Sequence, residues 1–336
     1  MPFTIIRNDI TKVEADAVVN TANPKPIYGS GTDRAIYRAA GEEQLLRARK
    51  KIGEIKPGEA RETEAFGLRA DYIIHTVGPS WSGGQFGERD VLRSCYENTL
   101  KLADQLKCRS IAFPLISTGA YGFPKSEALN IALSEIGKFL LIHDIEIILV
   151  VFDKDSLILS ESMIGEIDRF IDDSSVDALR KSEYDRRRLD DIRRYRSGAE
   201  TSQNLSGTSD AFNAALDLED YISRAGMSFR DKLFELIDQS GMTDVEVYKK
   251  ANIDRKVFSS IKCKKDYKPK KTTAVAFAIA LELDIHQLYD LLSRAGFTLD
   301  PSNRFDRIIE YCVRKQNYNI YEINCALFDH DLPLLR

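Results

Sequence analysis

Short apolar runs alternate with longer amphipathic segments through the first half of the chain. The runs consist of β-branched or other apolar residues and predict strands, and the segments between them repeat apolar residues at helical spacing. The predicted strands are residues 3–6, 17–20, 72–76, 110–114 and 145–152, and the predicted helices are residues 32–51, 90–106, 125–143 and 156–171. This alternation predicts an α/β fold in which helices cover both faces of a mixed, mostly parallel sheet. Ligands bind beyond the carboxyl ends of the strands in such folds.

The pattern changes after residue 171. Residues 172–191 are dense in charge and residues 197–210 are small and polar, so residues 172–227 are predicted to be a linker. A thin apolar stripe leaves open an exposed helix within the charged part. From Ser228 the helical period returns in several short segments, and Thr243 with Glu246 forms a capping-box signature. Residues 228–336 are therefore expected to form a second, all-α domain behind a first domain of residues 1–171.

Composition agrees with a soluble globular protein of two domains. The chain has 336 residues, 43% of them hydrophobic, and a net charge of −4. Its five cysteines include no CxxC pair, which favours reduced thiols in a cytoplasmic protein over a disulfide framework or a metal site. The first residues lack the order of a signal peptide, and Glu146 interrupts the longest apolar run. No membrane segment is expected.

Two glycine-punctuated loops follow predicted strands. In the first loop, Gly29, Ser30 and Gly31 precede a helix predicted to start near Thr32, with Asp33 in its first turn. Glycine permits positive φ and the close approach of a ligand, and the first amides of a helix lack intrahelical partners. The second loop contains Ser117, Thr118, Gly119, Ala120, Tyr121 and Gly122. Two facing sets of backbone amides suit a pyrophosphate.

Five motifs occur in order along residues 1–171. They are Asp9-Ile10-Thr11 after the first strand, the asparagine-bearing loop at residues 20–23, GSGTD at residues 29–33, HTVGP at residues 75–79 and the second glycine loop at residues 116–124. One glycine loop is weak evidence, but five ordered motifs are specific. Together they resemble the macrodomains that bind and process ADP-ribose, which implies a macrodomain-type mixed sheet sandwiched by helices.

The resemblance implies an ADP-ribose site in these loops. Asp9 would accept a hydrogen bond from the adenine amino group, and the backbone of Ile10 would help to select adenine. Asn20 and Asn23 belong to the asparagine-bearing loop, and Asn23 would hold the hydroxyls of the distal ribose. The diphosphate would lie between residues 29–31 and residues 117–121, with Tyr121 against the distal ribose.

The same resemblance implies hydrolysis at that ribose. Asp33 would hold the attacking water at the anomeric carbon. The hydrolytic branch of the family removes ADP-ribose from acidic side chains and de-acylates acetylated ADP-ribose. A centre of oxocarbenium character needs a positioned water more than a strong nucleophile, and a carboxylate can position that water. No cofactor and no metal is expected.

Several of these residues have a structural alternative. Asp33 also complements the helix dipole, and Asp9 also serves to cap the turn after the first strand. His75, on an apolar strand, is expected to be a buried, hydrogen-bonded histidine instead of a base. Ser30 stands where glycine is common in the family and is tolerated if its φ is negative. Lys25, between two prolines, is interpreted as a phosphate contact or a solvated side chain.

Residues 248–262 resemble the helix-turn-helix of repressor-type domains. Ten lysine and arginine residues occupy positions 249–271 against two acids, which indicates a basic patch. The candidate nucleic-acid contacts are Arg255, Lys256, Ser259, Ser260, Lys262, Lys264 and Lys265. The alternative is a protein-binding adaptor whose lysines are only solvated. Apolar stripes at residues 285–295 and 305–313 are candidate dimer faces.

The sequence therefore predicts a hydrolase that removes ADP-ribose from mono-ADP-ribosylated acidic side chains, with O-acetyl-ADP-ribose as a further substrate and the C-terminal domain as a targeting module. Two alternatives stay open. One is a reader that binds ADP-ribose without chemistry, and the other is a regulator whose nucleic-acid affinity responds to ADP-ribose. The expected partners are ADP-ribose, an ADP-ribosylated substrate and DNA or RNA, but no membrane.

Overall fold

The structure is a computed structural model that describes residues 2–152, 166–167, 170, 227–264 and 267–336. These residues form a sheet domain followed by a helical domain. Of the predicted linker at residues 172–227, only Met227 belongs to the described residues. Most of the helix predicted at residues 156–171 also lies outside them.

One six-stranded sheet forms the centre of the first domain. Its strands are β1 Phe3–Arg7, β2 Ala17–Thr21, β3 Ala60–Glu64, β4 Tyr72–Thr76, β5 Ser110–Pro114 and β6 Glu146–Val151. Their order is β1-β6-β5-β2-β4-β3, and every pair is parallel except β3 with β4. Successive residues Val18 and Val19 are both fully buried, because helices cover both faces of the sheet. The predicted α/β class is confirmed.

Four helices accompany the sheet among the described residues. They are α1 Gly31–Ala40, α2 Glu42–Ile52, α3 Glu88–Gln105 and α4 Lys125–Leu140. The single helix predicted at residues 32–51 is wrong, since Gly41 has a φ of 103° and separates α1 from α2. Strand β3 was not predicted, because only Ala60 and Thr63 of its ARETE sequence are buried and this spacing has no period of two.

The described part of the second domain is all-helical, as predicted. Its helices are α5 Phe229–Ser240, α6 Asp244–Lys250, α7 Arg255–Cys263, α8 Lys271–Ala280, α9 Ile285–Arg294, α10 Arg304–Arg314 and α11 Ile320–Asp329. The predicted capping box forms at α6, where Thr243 and Glu246 exchange hydrogen bonds. The apolar stripes expected to form dimer faces belong to the core instead, because Leu288, Leu291 and Ile308 are fully buried within the chain.

The two domains share one hydrophobic core. Phe3 of β1 meets Tyr321 of α11 edge to face, with ring centroids 5.2 Å apart, and buried residues of both domains form one continuous cluster. Asn252, between α6 and α7, accepts from Phe3 N at 2.9 Å and donates to Phe3 O at 3.0 Å. Its amide thus pairs with the edge strand β1 as a neighbouring strand would. The helical domain is packed onto the sheet domain.

Candidate functional site

A cleft of about 650 Å³ opens where the parallel strands end. This volume suits a nucleotide-sized ligand. Most of the predicted ligand residues line it: Asp9, Ile10, Asn23, Gly29, Ser30, Gly31, Asp33, Ser117, Thr118, Gly119, Ala120 and Tyr121. Asn20 and Gly122 are not part of the wall, and neither is Lys25, which is exposed to solvent. The structure therefore brings together residues from the loops after β1, β2 and β5.

The first glycine loop places Asn23 beside Asp33. A methyl group at Gly29 would lie 2.6 Å from Asn23 Nδ2 and 2.7 Å from Asp33 Oδ2, so only glycine fits between the two side chains. Ser30 is the N-cap of α1 with a φ of −118°, which serine adopts without strain. Its side chain makes no capping hydrogen bond. The first amides of α1 are therefore available to an anion in the cleft.

The second glycine loop lines the cleft with residues whose backbone amides are unpaired in the part of the chain that the structure describes. Ser117 takes a φ of 66°, and Phe123 N closes the loop onto Ser117 O at 3.0 Å. Within the described residues, the amides of Thr118, Gly119 and Ala120 have no acceptor. The Ser117 side chain fills the space where a Cβ at residue 78 would lie, which explains Gly78 in the HTVGP motif. Unpaired amides in a row bind anions.

Asp33 is buried yet lines the cleft. It is 3% exposed, its Oδ1 accepts from Asn20 Nδ2 at 2.7 Å, and its Oδ2 accepts from Gly29 N at 2.6 Å. Burial raises the pKa of this carboxyl, against the opposing effects of both hydrogen bonds and of the positive charges on Arg49 and Arg34. A carboxylate with a raised pKa at a cleft wall suits proton transfer.

Asn20 donates a hydrogen bond to Asp33 and is not part of the cleft wall. It is fully buried, and its Nδ2 also lies 3.1 Å from His75 Nδ1. The prediction of Asn20 as a ligand contact is therefore corrected: the side chain of this β2 residue points to the side of the sheet that α1 covers. His75 is buried and its Nε2 lies 2.9 Å from Thr63 Oγ1, as expected of a hydrogen-bonded histidine.

The loop after β1 lines the end of the cleft away from Asp33. Asp9 Oδ1 accepts from Thr11 N at 3.0 Å and from Thr11 Oγ1 at 2.7 Å, so it caps the short 3-10 helix Ile10–Lys12 as its structural alternative expects. Phe152 lines the same end and was not predicted as a ligand contact. Its signal in the sequence is an aromatic residue directly after a buried strand, at the edge where ligands bind.

Arg49 is a further residue that the sequence does not reveal as part of the site. This α2 side chain is 1% exposed, and its Nη2 and Nη1 donate to Asn23 O and Gly53 O, both at 3.2 Å. It thereby anchors the loop that carries Asn23. Its neighbours Lys50 and Lys51 make the segment resemble a solvated helix face.

The candidate nucleic-acid residues on the helical domain divide into two groups. Arg255, Lys256, Ser259 and Lys264 are exposed, and none of the three cations pairs with a described carboxylate. In contrast, Lys262 pairs with Asp244 at 2.5 Å, and Ser260 donates to Lys256 O at 2.9 Å. Lys265 lies outside the described residues. Lys249 is buried against Asp144 at 3.1 Å, so the basic patch is smaller than predicted.

Metal ligands and membrane spans are not found in the part of the chain that the structure describes. It contains no group of three or more His, Cys, Asp or Glu side chains placed to hold a metal ion. No described helix combines the length and apolar character needed to cross a membrane.

Known proteins match the sheet domain. The Macro domain family model matches residues 19–132. A Macro domain-containing protein of Methanosarcina mazei is 48% identical over 154 residues, which are 45% of this chain and 82% of the relative. An O-acetyl-ADP-ribose deacetylase of Cronobacter sakazakii is 40% identical over 171 residues, 49% of this chain and 95% of the relative. The solved structure of the Oceanobacillus iheyensis macrodomain with ADP is 39% identical, covers 50% of this chain and 92% of that chain, and superposes with a TM-score of 0.45. On the identity and coverage of these sequence relatives, the chain belongs to the macro domain family.

Proposed function

We propose that the sheet domain is a hydrolase that releases ADP-ribose from mono-ADP-ribosylated acidic side chains, with O-acetyl-ADP-ribose as a second ester substrate. One observation carries the proposal: the buried Asp33 carboxylate faces the cleft beside Asn23, held by two hydrogen-bond donors. The name O-acetyl-ADP-ribose deacetylase of a relative 40% identical supports chemistry on an ester of ADP-ribose.

The order of the strands supports the orientation of the ligand. β1 and β6 are neighbours, β5 follows, and β2 is three strand spacings from β1, about 14 Å. Adenine would stack on Phe152 near Asp9, beyond β1 and β6. The diphosphate would meet the amides of the loop after β5 and of the first turn of α1. The distal ribose would then lie beyond β2, against Asn23 and Asp33.

The chemistry requires one carboxylate at this end. A water held by Asp33 forms a bond to the anomeric carbon, the bond from that carbon to the acyl oxygen breaks, and the electron pair leaves with the acid side chain. Asp33 accepts the proton of the water. A glutamate leaving group has an ordinary pKa of about 4.3, so it departs as a carboxylate without a general acid. The products are free ADP-ribose and the restored acidic side chain.

The test is a single-turnover assay on a protein mono-ADP-ribosylated at glutamate, together with calorimetric binding of ADP-ribose. Wild type is expected to release ADP-ribose. Asp33→Ala is expected to lower the rate by about 10² to 10⁴ while it still binds ADP-ribose. Asp90→Ala is a matched control, because Asp90 is an exposed acid in the first turn of α3, away from the cleft. This control is expected to behave as wild type.

Two results would contradict the proposal in different ways. If wild type and Asp33→Ala both bind ADP-ribose and neither releases product from a modified protein or from O-acetyl-ADP-ribose, the domain is a reader. If wild type does not bind ADP-ribose, the ligand assignment itself fails.

A second candidate function concerns the helical domain, which we propose as a nucleic-acid-binding, targeting module. The supporting observation is that Arg255 and Lys256, in the first turn of α7, are exposed and unpaired with any described carboxylate. In a helix-turn-helix, the first turns of the second helix commonly contact the groove of DNA. Lys264 continues the same exposed stretch. Proteins that bind nucleic acid use such cations to neutralise phosphates.

Fluorescence anisotropy with duplex DNA and with single-stranded RNA, over a series of salt concentrations, tests this candidate. Replacing Arg255 and Lys256 by glutamine is expected to weaken binding and to reduce the salt slope by about one per lost phosphate contact. Lys138→Gln is the control, because Lys138 is exposed on α4 of the sheet domain. Equal binding by the double variant and the control would exclude α7 as the interface. A change of affinity on adding ADP-ribose would identify a regulator.

A further inference from the structure

Asp33 is the last member of a buried hydrogen-bonded chain that crosses three strands. Thr63 of β3 lies 2.9 Å from His75 Nε2 of β4, and His75 Nδ1 lies 3.1 Å from Asn20 Nδ2 of β2. The same Nδ2 donates to Asp33 Oδ1 at 2.7 Å. Asn20 and His75 are direct partners in the β2–β4 ladder, and all four side chains are buried. The chain ends at the cleft.

The direction of each hydrogen bond in this chain follows from counting hydrogens. Asn20 Nδ2 carries two hydrogens and has two acceptors within reach, Asp33 Oδ1 and His75 Nδ1. The histidine proton must then be on Nε2, which donates to Thr63 Oγ1. The ring is neutral, because complete burial lowers the pKa of His75 well below its ordinary value.

The opposite orientation of the Asn20 amide is unfavourable while Asp33 is ionised. A rotated amide would direct Oδ1 at the carboxylate oxygen, and two acceptors at that distance repel each other. In the observed orientation Asn20 Oδ1 has no partner among the described residues. Leaving a buried acceptor unpaired is unusual. The unpaired Asn20 Oδ1 therefore indicates that the two acceptors near Nδ2, Asp33 Oδ1 and His75 Nδ1, determine the orientation of the amide.

We propose that His75 is a positioning residue: its neutral ring accepts one N–H of Asn20 and so directs the other N–H at Asp33, which fixes the carboxylate at the cleft wall. This inference rests on the proposed function, since the role of Asp33 as the base belongs to that proposal. His75 itself touches no ligand, because it is not part of the cleft lining.

Nitrogen-15 NMR of the protein tests the hydrogen-bonded chain without an activity assay. At neutral pH the His75 ring is expected to have a protonated Nε2 and an unprotonated Nδ1, with the signals assigned by their loss in His75→Asn. A proton on Nδ1, or a ring that titrates near the ordinary histidine pKa, would overturn the inference.

Two substitutions at His75 separate positioning from packing. His75→Leu removes the acceptor, whereas His75→Asn places an amide oxygen near the former position of Nδ1. His75→Leu is expected to slow turnover by roughly 10- to 100-fold at unchanged affinity for ADP-ribose, and His75→Asn is expected to restore most of the rate. Equal loss in both variants, or a loss of affinity in place of rate, would overturn the inference.

If His75→Leu does not fold, Thr63→Val tests the far end of the same chain. It removes the acceptor of Nε2–H and leaves Asn20 in place. Slower turnover and a larger fraction of the Nδ1–H form are expected, and an unchanged rate with an unchanged tautomer would count against the role of His75.

A carbon-13 titration of the Asp33 carboxyl distinguishes failure of this inference from failure of the proposed function. The Asn20 hydrogen bond lowers the pKa of Asp33. Loss of that bond in His75→Leu or in Thr63→Val should therefore raise the pKa of Asp33, even if wild type hydrolyses nothing. Among the described residues, the other ionisable groups that interact with Asp33 are Arg34 and Tyr37 on α1, Arg49 on α2 and Tyr121 on the second glycine loop, and these substitutions leave all four unchanged. An unshifted Asp33 pKa in both variants would overturn the inference.

Discussion

Among single residues, Phe152 is the clearest aromatic candidate for a ligand contact. It is 77% exposed directly after β6 and lines the cleft near Asp9 and Ile10. An aromatic ring left in water at the end of a cleft offers a flat apolar face on which a base can stack. Phe86 is equally exposed, at 78%, but is not part of the cleft wall. The two residues form a matched pair.

Phe152→Ala is expected to weaken binding of ADP-ribose by about 1–3 kcal/mol, because it removes one base–aromatic stack. Calorimetry with ADP-ribose and with ADP should give the same loss, since both carry adenine. Phe86→Ala serves as the control and should bind as wild type. Equal affinities of Phe152→Ala and wild type would contradict the assignment of adenine to this end of the cleft.

The pH dependence of hydrolysis is a second prediction for single residues. Burial raises the pKa of Asp33, and only the ionised form accepts a proton, so turnover should fall as pH decreases through this raised pKa. The charge of Arg34 lowers the pKa of Asp33. Arg34→Gln should therefore raise that pKa further and move the acidic fall in rate to higher pH.

A pH–rate profile of three proteins checks this second prediction. Arg38→Gln is the control, because Arg38 lies on the same helix and contacts the same Glu42 but does not perturb Asp33. Its profile should superimpose on that of wild type. Profiles that coincide for Arg34→Gln and Arg38→Gln would show that Asp33 does not control the acidic fall.

At the scale of elements, the turn between α6 and α7 connects the two domains. Asn252 has a φ of 55°, a left-handed conformation that asparagine tolerates better than most residues. Its amide pairs with both backbone groups of Phe3 and also donates to Leu335 O at 3.3 Å. The Asn252 side chain thus forms hydrogen bonds both with backbone groups at the edge of β1 and with a carbonyl of the C-terminal segment.

Two substitutions at Asn252 measure the strength of this contact. Asn252→Gly keeps the left-handed turn but removes the amide, and should lower the free energy of unfolding by about 1–3 kcal/mol because buried backbone groups lose partners. Asn252→Asp should cost more, since a carboxylate would face two carbonyl oxygens. Urea unfolding gives both values. Stability of Asn252→Gly equal to wild type would show that the amide contributes nothing.

At the scale of the whole molecule, the shared core predicts cooperative unfolding. Trp81 is the single tryptophan and packs against Phe123 at a centroid distance of 4.7 Å, so its fluorescence reports on the sheet domain. Far-UV circular dichroism also follows the helices of the second domain. The two signals should change together in urea, because Phe3 and Tyr321 belong to one cluster. Separate transitions would show that each domain is stable alone.

The sequence by itself determined the features that depend on near neighbours in the chain. Strands β4 and β5 have the predicted bounds, because short buried runs of apolar residues carry their own signal. The capping box at Thr243 and Glu246 is equally local. The position of Gly31 and Gly119 in the cleft wall was predicted, because glycine marks loops that approach a ligand.

Only the tertiary structure decided which side chains meet across the fold. Asn20 supports Asp33, and Arg49 anchors the Asn23 loop. The apolar stripes of α9 and α10 are covered within the chain, and Asn252 joins the domains. Periodicity shows which side of an element is apolar or polar, but the partner on that side comes from residues far away in sequence. The physical reason is that burial and hydrogen-bond partners are properties of the packed chain, whereas conformational preference belongs to the local segment.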